Sequence, residues 1–162
     1  MPYCLDANIF IQSSRARFPI DIFPVFWTTL DAQVAAGTVI SIEEVRGEVL
    51  RGKDGLADWV KARDALFMPN DDAATQGAMV HVAAAVEVKT PPYRQKAKDH
   101  FLDHADPWVI AFCQAHSHTL VTEETASPNS LKSVKIPDIA SAVGVSVINL
   151  NAMLRAMKIS FK

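Results

Sequence analysis

Short runs of apolar, often β-branched residues alternate along this chain with longer segments in which apolar residues recur every three or four positions. The short runs are typical of buried strands, and the longer spacing is typical of amphipathic helices. Strands are predicted at residues 3–5, 38–40, 119–122 and 145–150. The alternation predicts an α/β fold in which a central parallel sheet of about four to five strands is covered by helices on both faces, in three layers.

Start and stop signals set the predicted helices between these strands. Pro24 begins the first predicted helix and Gly37 ends it. Ser41 and Glu44 have the spacing of a capping box, so the next helix is expected to begin at Ser41 and to end near residue 51. Further helices are predicted at residues 55–67, 71–88, 92–102, 106–116, 137–143 and 151–157. No linker, repeat or low-complexity tract divides the chain, so residues 1–162 are predicted to form a single domain.

Composition and charge narrow the function. With 162 residues, 49% of them hydrophobic, the chain can bury one sizeable core. Eighteen acidic residues against sixteen Lys and Arg give a net charge of −2, so overall charge does not favour a polyanion, which would need a local basic patch or bound metal. Cys4 and Cys113 lie in apolar runs and are predicted to be buried free thiols. No apolar run approaches about 18 residues and no signal-peptide pattern begins the chain, so a soluble cytoplasmic protein is expected.

Acidic side chains follow the predicted strands at the points where ligands bind in parallel sheets. Asp6 follows the first strand, Glu123 and Glu124 follow the third, and Asp106 precedes Pro107 in the order that caps a helix. Glu48 lies one turn into the helix after the second strand. These carboxylates are therefore expected to meet at one edge of the sheet.

Clustered carboxylates favour a hard divalent cation. Two unpaired carboxylates about 4 Å apart repel by roughly 4 kcal/mol at an effective dielectric near 20, so a cluster of four is expected to hold Mg²⁺ or Mn²⁺. Such an ion would lower the pKa of a bound water and neutralise a phosphodiester oxygen. The sequence thus favours metal-dependent hydrolysis of a phosphodiester.

Four segments resemble the motifs of PIN-domain nucleases. They are Leu-Asp-Ala-Asn at 5–8, Val-Arg-Gly-Glu at 45–48, Ala-Asp-Pro-Trp-Val-Ile-Ala at 105–111 and Leu-Val-Thr-Glu-Glu at 120–124. The similarity spans nearly the whole chain and looks like an uncharacterised PIN-like branch found in bacteria. The resemblance implies a PIN-like fold and metal-dependent cleavage of single-stranded RNA, often as the toxin of a toxin–antitoxin pair.

The resemblance also implies roles for individual residues. Asp6, Glu48, Asp106 and Glu124 would bind one or two Mg²⁺ or Mn²⁺ ions, directly or through water. Relatives usually have Asp two residues after the Thr of the fourth motif, where this chain has Glu124 preceded by Glu123, so either glutamate could be the fourth ligand. Two polar residues, Asn8 and Thr122, would support the acids. Asp6→Asn is expected to abolish cleavage without lowering thermal stability.

Basic residues in loops and at helix ends are expected to surround the same edge and to position phosphates without reading bases. They are Arg15, Arg17, Arg51, Lys53, Lys132 and Lys135. An antitoxin would cover the acidic site with a basic side chain, and a homodimer is an open alternative to a monomer.

Other readings of the sequence stay open. His100 and His104 are four residues apart on a predicted helix and, with His116 and His118, could form a zinc site. A non-catalytic PIN-like module would bind RNA or a protein without cutting it. A metal-dependent phosphatase or a structure-specific DNA nuclease could use the same acids.

Overall fold

Five short strands form one parallel sheet at the centre of the protein, in a computed structural model that describes residues 2–162. The strands are β1 (Tyr3–Leu5), β2 (Val39–Ile42), β3 (Phe67–Met68), β4 (Thr119–Val121) and β5 (Val147–Ile148), and their order in the sheet is β3-β2-β1-β4-β5. All four pairings are parallel. The predicted α/β class with a parallel central sheet is confirmed.

Helices flank this sheet as in a three-layer α/β/α fold. They are α1 (Ala7–Gln12), α2 (Pro24–Ala35), α3 (Glu43–Leu50), α4 (Gly55–Lys61), α5 (Ala73–Val88), α6 (Gln95–Leu102), α7 (Asp106–His116), α8 (Ile136–Ala142) and α9 (Leu150–Ala156). α3 packs against α1 and α4, whereas α7 packs along α5 and contacts α6 and α8. Within residues 2–162, none of the helices has both the length and the apolar character needed to cross a membrane.

The core lies on both faces of the sheet, which is why its strands read as continuous apolar runs. The strand side chains of Leu5, Val39, Ile42 and Leu120 are all buried. Cys4 and Cys113 are buried free thiols, as predicted. Burial on both faces is the expected state of a parallel sheet covered by helices.

Two predicted element boundaries are wrong for local reasons. Residues 55–67 were predicted as one helix, but α4 ends at Lys61 and Phe67 enters β3, where it pairs with Ser41. Ser41 does not begin a capping box, because it belongs to β2 and its hydroxyl donates to the Leu5 carbonyl at 2.6 Å. α3 therefore begins at Glu43 without a side-chain cap.

The structure also corrects the elements beside the predicted site. α1 begins directly after β1 with Asp6 as its N-cap, although no helix was predicted there. Asp106 is the first residue of α7 and not its cap, since Ala105 holds the cap position. β5 is shorter than the predicted strand at 145–150, because Leu150 already begins α9.

The strand order places a crevice between the carboxyl ends of β1 and β4. The chain runs outward from β1 to β2 and β3, and then returns to the other side of β1 with β4. Ligands bind in parallel α/β sheets at such a reversal of strand order. Leu5 pairs with Val121, and the Asp6 amide donates to the Val121 carbonyl at 3.0 Å, so the residues that follow the two strands are neighbours.

Candidate active site

Asp6 lies at the bottom of this crevice, where β1 becomes α1. Its side chain is only 2% exposed, and it accepts hydrogen bonds from the Ala7 amide at 2.6 Å and from the Thr122 hydroxyl at 2.9 Å. Burial raises the pKa of Asp6 well above its ordinary value, and the negative charges of Asp106 and Glu124 raise it further. Asp6 is therefore a buried acid that faces two other acids.

Thr122 and Asn8 form the polar frame that holds Asp6. The Thr122 hydroxyl donates to Asp6 and accepts from the Asn8 side-chain amide at 3.2 Å and from the Glu124 backbone amide at 3.2 Å. The Oδ1 atom of the Asn8 side chain accepts a hydrogen bond from the Glu123 backbone amide at 3.1 Å. These bonds join the start of α1 to the segment after β4 and hold Asp6 and the backbone of Glu123 and Glu124 in place.

Asp106 faces the same crevice from the first turn of α7. Burial raises its pKa to about 7, and the charges of Glu124 and Glu48 contribute to this shift. The charges of His104 and Lys135 act in the opposite direction. Asp106 therefore lies among acids that oppose its ionisation, as a site for a cation requires.

Glu124 and Glu48 complete this set from two other elements. Glu124 follows β4, and its Oε2 atom accepts from the Ile136 amide at 2.8 Å. Glu48 lies in α3, and its Oε1 atom accepts from the Ala105 amide at 3.0 Å, next to Asp106. Each of these bonds uses one carboxylate oxygen of its glutamate. The structure thus brings together the acids that we call the acid cluster, namely Asp6, Glu48, Asp106 and Glu124.

Glu123 lies outside the acid cluster. Its Oε1 atom forms an ion pair with Arg17 at 2.9 Å and accepts from the Leu150 amide at 3.1 Å. Arg17 also donates to the Asn151 side chain at 3.2 Å. Glu123 therefore joins the N-terminal region to the start of α9, and Glu124 is the glutamate that faces the other acids.

A cavity of about 470 Å³ opens beside the acid cluster. Asp106 and Glu124 line it, together with Lys135, Arg94 and Lys96. Lys135 was predicted to lie near the site, whereas Arg94 and Lys96 were not singled out. Their position at the start of α6 follows from how that helix docks, and no local motif signals it.

The other predicted basic residues divide into two groups. Lys132 lines the cavity. Arg15, Arg51 and Lys53 are exposed and do not line it, while Arg17 pairs with Glu123. Of the predicted basic rim, only Lys132 and Lys135 line the cavity, both in the segment before α8.

The four histidines considered as a zinc site lie in two separate places. The rings of His100 and His104 lie with their centroids 4.2 Å apart and are tilted by 37°, before α7 begins. His116 ends α7 and contacts Asp72 at 3.3 Å. An eleven-residue helix is about 16 Å long, so the two groups cannot share a metal ion.

The donor atoms of the acid cluster suit a hard divalent cation. All four side chains offer carboxylate oxygens, which Mg²⁺ and Mn²⁺ prefer, and both burial and the charges of Glu124 and Glu48 oppose the ionisation of Asp106. Among residues 2–162, however, no three His, Cys, Asp or Glu side chains are already arranged to hold a metal ion. The residues therefore fit the ion in their chemistry, and Asp6, Asp106, Glu124 and Glu48 are those that would hold it.

Glutamine substitutions separate the roles of the two adjacent glutamates. Glu124→Gln is expected to weaken Mn²⁺ binding about tenfold or more, because it removes one negative charge from the acid cluster. Glu123→Gln should leave Mn²⁺ affinity unchanged and lower stability by up to about 1 kcal/mol, because it removes only the partly exposed ion pair with Arg17. Calorimetric titration with Mn²⁺ and urea unfolding measure the two effects. If Glu123→Gln weakens Mn²⁺ binding and Glu124→Gln does not, the assignment of Glu124 to the acid cluster is contradicted.

Together, the fold and the site define a three-layer α/β protein with an acidic crevice at the reversal of strand order. The chain belongs to the family described as Domain of unknown function (DUF4411), which matches residues 3–161. Comparisons with curated proteins and with solved structures gave no match. The family match covers almost the whole chain, which places the acid cluster and the cavity inside the shared domain.

Proposed function

We propose that this protein is an endoribonuclease that cleaves single-stranded RNA with Mg²⁺ or Mn²⁺. The observation that carries the proposal is that Asp106 lies near enough to Asp6, Glu124 and Glu48, which come from three other parts of the chain, for their charges to act on one another. A fold has no structural need to gather four acids, since their repulsion destabilises it unless a cation is bound. The motif resemblance to PIN-domain nucleases supports RNA as the substrate.

The protein's own residues would orient the acids and the substrate. Thr122 and the Ala7 amide hold Asp6 in one orientation at the floor of the crevice. Glu48 and Glu124 are each held through one oxygen by a backbone amide, which fixes their carboxylates beside Asp106. A bound divalent ion would supply an activated water and would neutralise charge on the phosphodiester. Such prior orientation reduces the rearrangement needed during the reaction.

A substrate panel tests the proposed reaction. The purified chain with Mn²⁺ is expected to cut labelled single-stranded RNA faster than single-stranded DNA, branched DNA or a phosphate monoester, and to lose this activity in EDTA. Electrophoresis of the products reports where the strand is cut. Preference for branched DNA would point to a structure-specific DNA nuclease, and preference for the monoester to a phosphatase. RNA that stays intact at all Mn²⁺ and Mg²⁺ concentrations contradicts the proposed activity.

A second candidate is an RNA-binding module of the same fold that does not cut its ligand. The observation that favours it is that, within residues 2–162, no three acidic groups are already arranged for a metal ion. Such a module would bind RNA equally well in EDTA and in Mn²⁺. In the substrate panel it would retain RNA without forming shorter products.

A toxin role extends the proposal on the strength of the motif resemblance. The partner would then be an antitoxin protein that covers the acid cluster with a basic side chain, and the protein would act in the cytoplasm. A homodimer remains compatible with this role. Growth arrest on induced expression is the property that a toxin requires.

A further inference from the structure

Four cationic side chains share the cavity with the acids Asp106 and Glu124. Lys132 and Lys135 come from the segment before α8, and Arg94 and Lys96 from the start of α6. Lys135 is close enough to Asp106 to lower the pKa of that carboxyl. In a chain with a net charge of −2, this concentration of positive charge in one cavity is a local feature.

Among residues 2–162, five of the 16 Lys and Arg residues form ion pairs with acidic side chains, and the cavity cations are among the eleven that do not. Arg17, Arg46, Lys61, Arg63 and Lys98 all form ion pairs with Asp or Glu. No ion pair within residues 2–162 involves the four cavity cations, although Asp106 and Glu124 line the same cavity. Their charges are therefore available to an anion that enters the cavity.

The two walls that carry these cations are connected. The Arg94 amide donates to the Leu131 carbonyl at 2.9 Å, and the Lys89 ammonium donates to the Ser130 carbonyl at 2.9 Å. α6 has no side-chain cap at Arg94, and the Ala97 amide donates to the Arg94 carbonyl at 3.0 Å. The connection between the two walls favours a fixed surface for anions over independent surface charges.

We propose that this cavity binds the phosphate backbone of an RNA strand at two or more phosphates beside the scissile one, with Lys135, Lys132, Arg94 and Lys96 as positioning residues. This inference rests on the proposed function and extends it, because it defines the substrate as a strand. A monoester offers one phosphate, which would bind to the cation held by the acid cluster. A strand places further phosphates among the cavity cations, which contact phosphate and not bases and therefore do not select a sequence.

The first test measures binding without cleavage. The full chain is titrated into a fluorescent twelve-nucleotide RNA in EDTA, and anisotropy is followed from 50 to 200 mM salt. Lys135→Ala and Arg94→Ala are each expected to weaken binding about fivefold at 50 mM salt and to reduce the slope of log K against log salt by about 0.7, the value for one phosphate contact with a single strand. Arg155→Ala is the matched control, since it removes an exposed cation of α9 outside the cavity.

The second test measures chain-length dependence in Mn²⁺. The parent protein should cut the twelve-nucleotide RNA with a kcat/KM at least about tenfold higher than that for a dinucleotide, because the dinucleotide lacks the neighbouring phosphates. Lys135→Ala should reduce this preference mainly through KM.

The outcomes separate this inference from the proposed activity. Binding weakened equally by Arg155→Ala and Lys135→Ala overturns the inference, whether or not RNA is cut. Binding weakened only by the cavity variants, with RNA left intact in Mn²⁺, supports the inference and removes the nuclease proposal. Equal cleavage of dinucleotide and twelve-nucleotide RNA overturns the inference and leaves the nuclease proposal in place.

Discussion

Asp106→Asn is expected to lower RNA cleavage by the Mn²⁺-loaded protein at least about 10³-fold and to raise the thermal stability of the metal-free protein. Activity falls because the variant removes a charge that would hold the ion. Stability rises because Asp106 is opposed by burial and by the charges of Glu124 and Glu48. Initial rates on labelled RNA and thermal unfolding in EDTA measure the two effects on the same preparation.

Asp103→Asn is the matched control for this variant. The same chemical change is made three residues earlier, at an exposed residue that follows α6 as its C-cap. Unlike Asp106, Asp103 does not line the cavity. Asp103→Asn should cleave RNA like the parent. If Asp106→Asn cleaves RNA at the parental rate in Mn²⁺, the acid cluster is not the reactive site.

The metal-free protein is expected to lose stability as pH rises from about 4.5 to 7.5, and Asp106→Asn should lose less, with the contribution of buried Asp6 retained. Burial and neighbouring acids raise the pKa of Asp106 to about 7, and the pKa of Asp6 is raised as well. The folded protein therefore binds more protons than the unfolded chain in this range, so the free energy of unfolding decreases with pH. At about 1.4 kcal/mol for each pKa unit, the Asp106 effect has an upper bound of about 4 kcal/mol, and solvent screening of this half-buried group reduces it.

Urea unfolding in EDTA at several pH values measures how the free energy of unfolding changes with pH. Added Mn²⁺ should restore most of the stability that is lost by pH 7.5. This pH range lies above the one in which Asp72 titrates, because hydrogen bonds from Thr75 lower the pKa of Asp72 to about 2. Asp72 contributes stability that is lost only as pH falls below about 4. Identical pH slopes for the parent and Asp106→Asn would show that Asp106 is not under electrostatic strain.

The class of the fold was predictable because burial on both faces leaves a direct trace in the sequence. β1, β2 and β4 appear as short apolar runs, and Gly37 and Gly144 mark helix ends with φ of +72° and +77°. β3 was missed because its two residues follow an amphipathic helix and pair only with β2. Its identity as a strand depends on a tertiary contact that local periodicity does not record.

The acids of the site were predictable because topology places them. Asp6 and Glu124 follow neighbouring strands, so a parallel sheet brings them together once the strand order is right. The choice between Glu123 and Glu124 was not predictable. Adjacent residues after a strand face different directions, and the positions of Arg17 and Leu150 decide which glutamate faces the crevice.

The cavity cations, in contrast to the acids, were predictable only in part. Lys135 was identified because it lies just before a predicted helix, among the loops expected to surround the site, but Arg94 and Lys96 lie in a segment that the sequence indicated only as the start of a helix. Their place depends on the hydrogen bond between Arg94 and Leu131, which joins segments far apart in the chain. The structure likewise shows why Asp106→Asn is a cleaner test than Asp6→Asn, since Asp6 also caps α1 and accepts from Thr122.

The position of β4 beside β1 has a consequence for how the protein is made. Thr122, which donates a hydrogen bond to Asp6, lies 116 residues after it in the chain, and Glu124 is synthesised later still. A growing polypeptide that has not reached this point lacks one side of the crevice and has no partner for the free edge of its first strand. Under the proposed function, a nascent chain that lacks β4 and Glu124 would therefore be unable to cleave the mRNA from which it is translated.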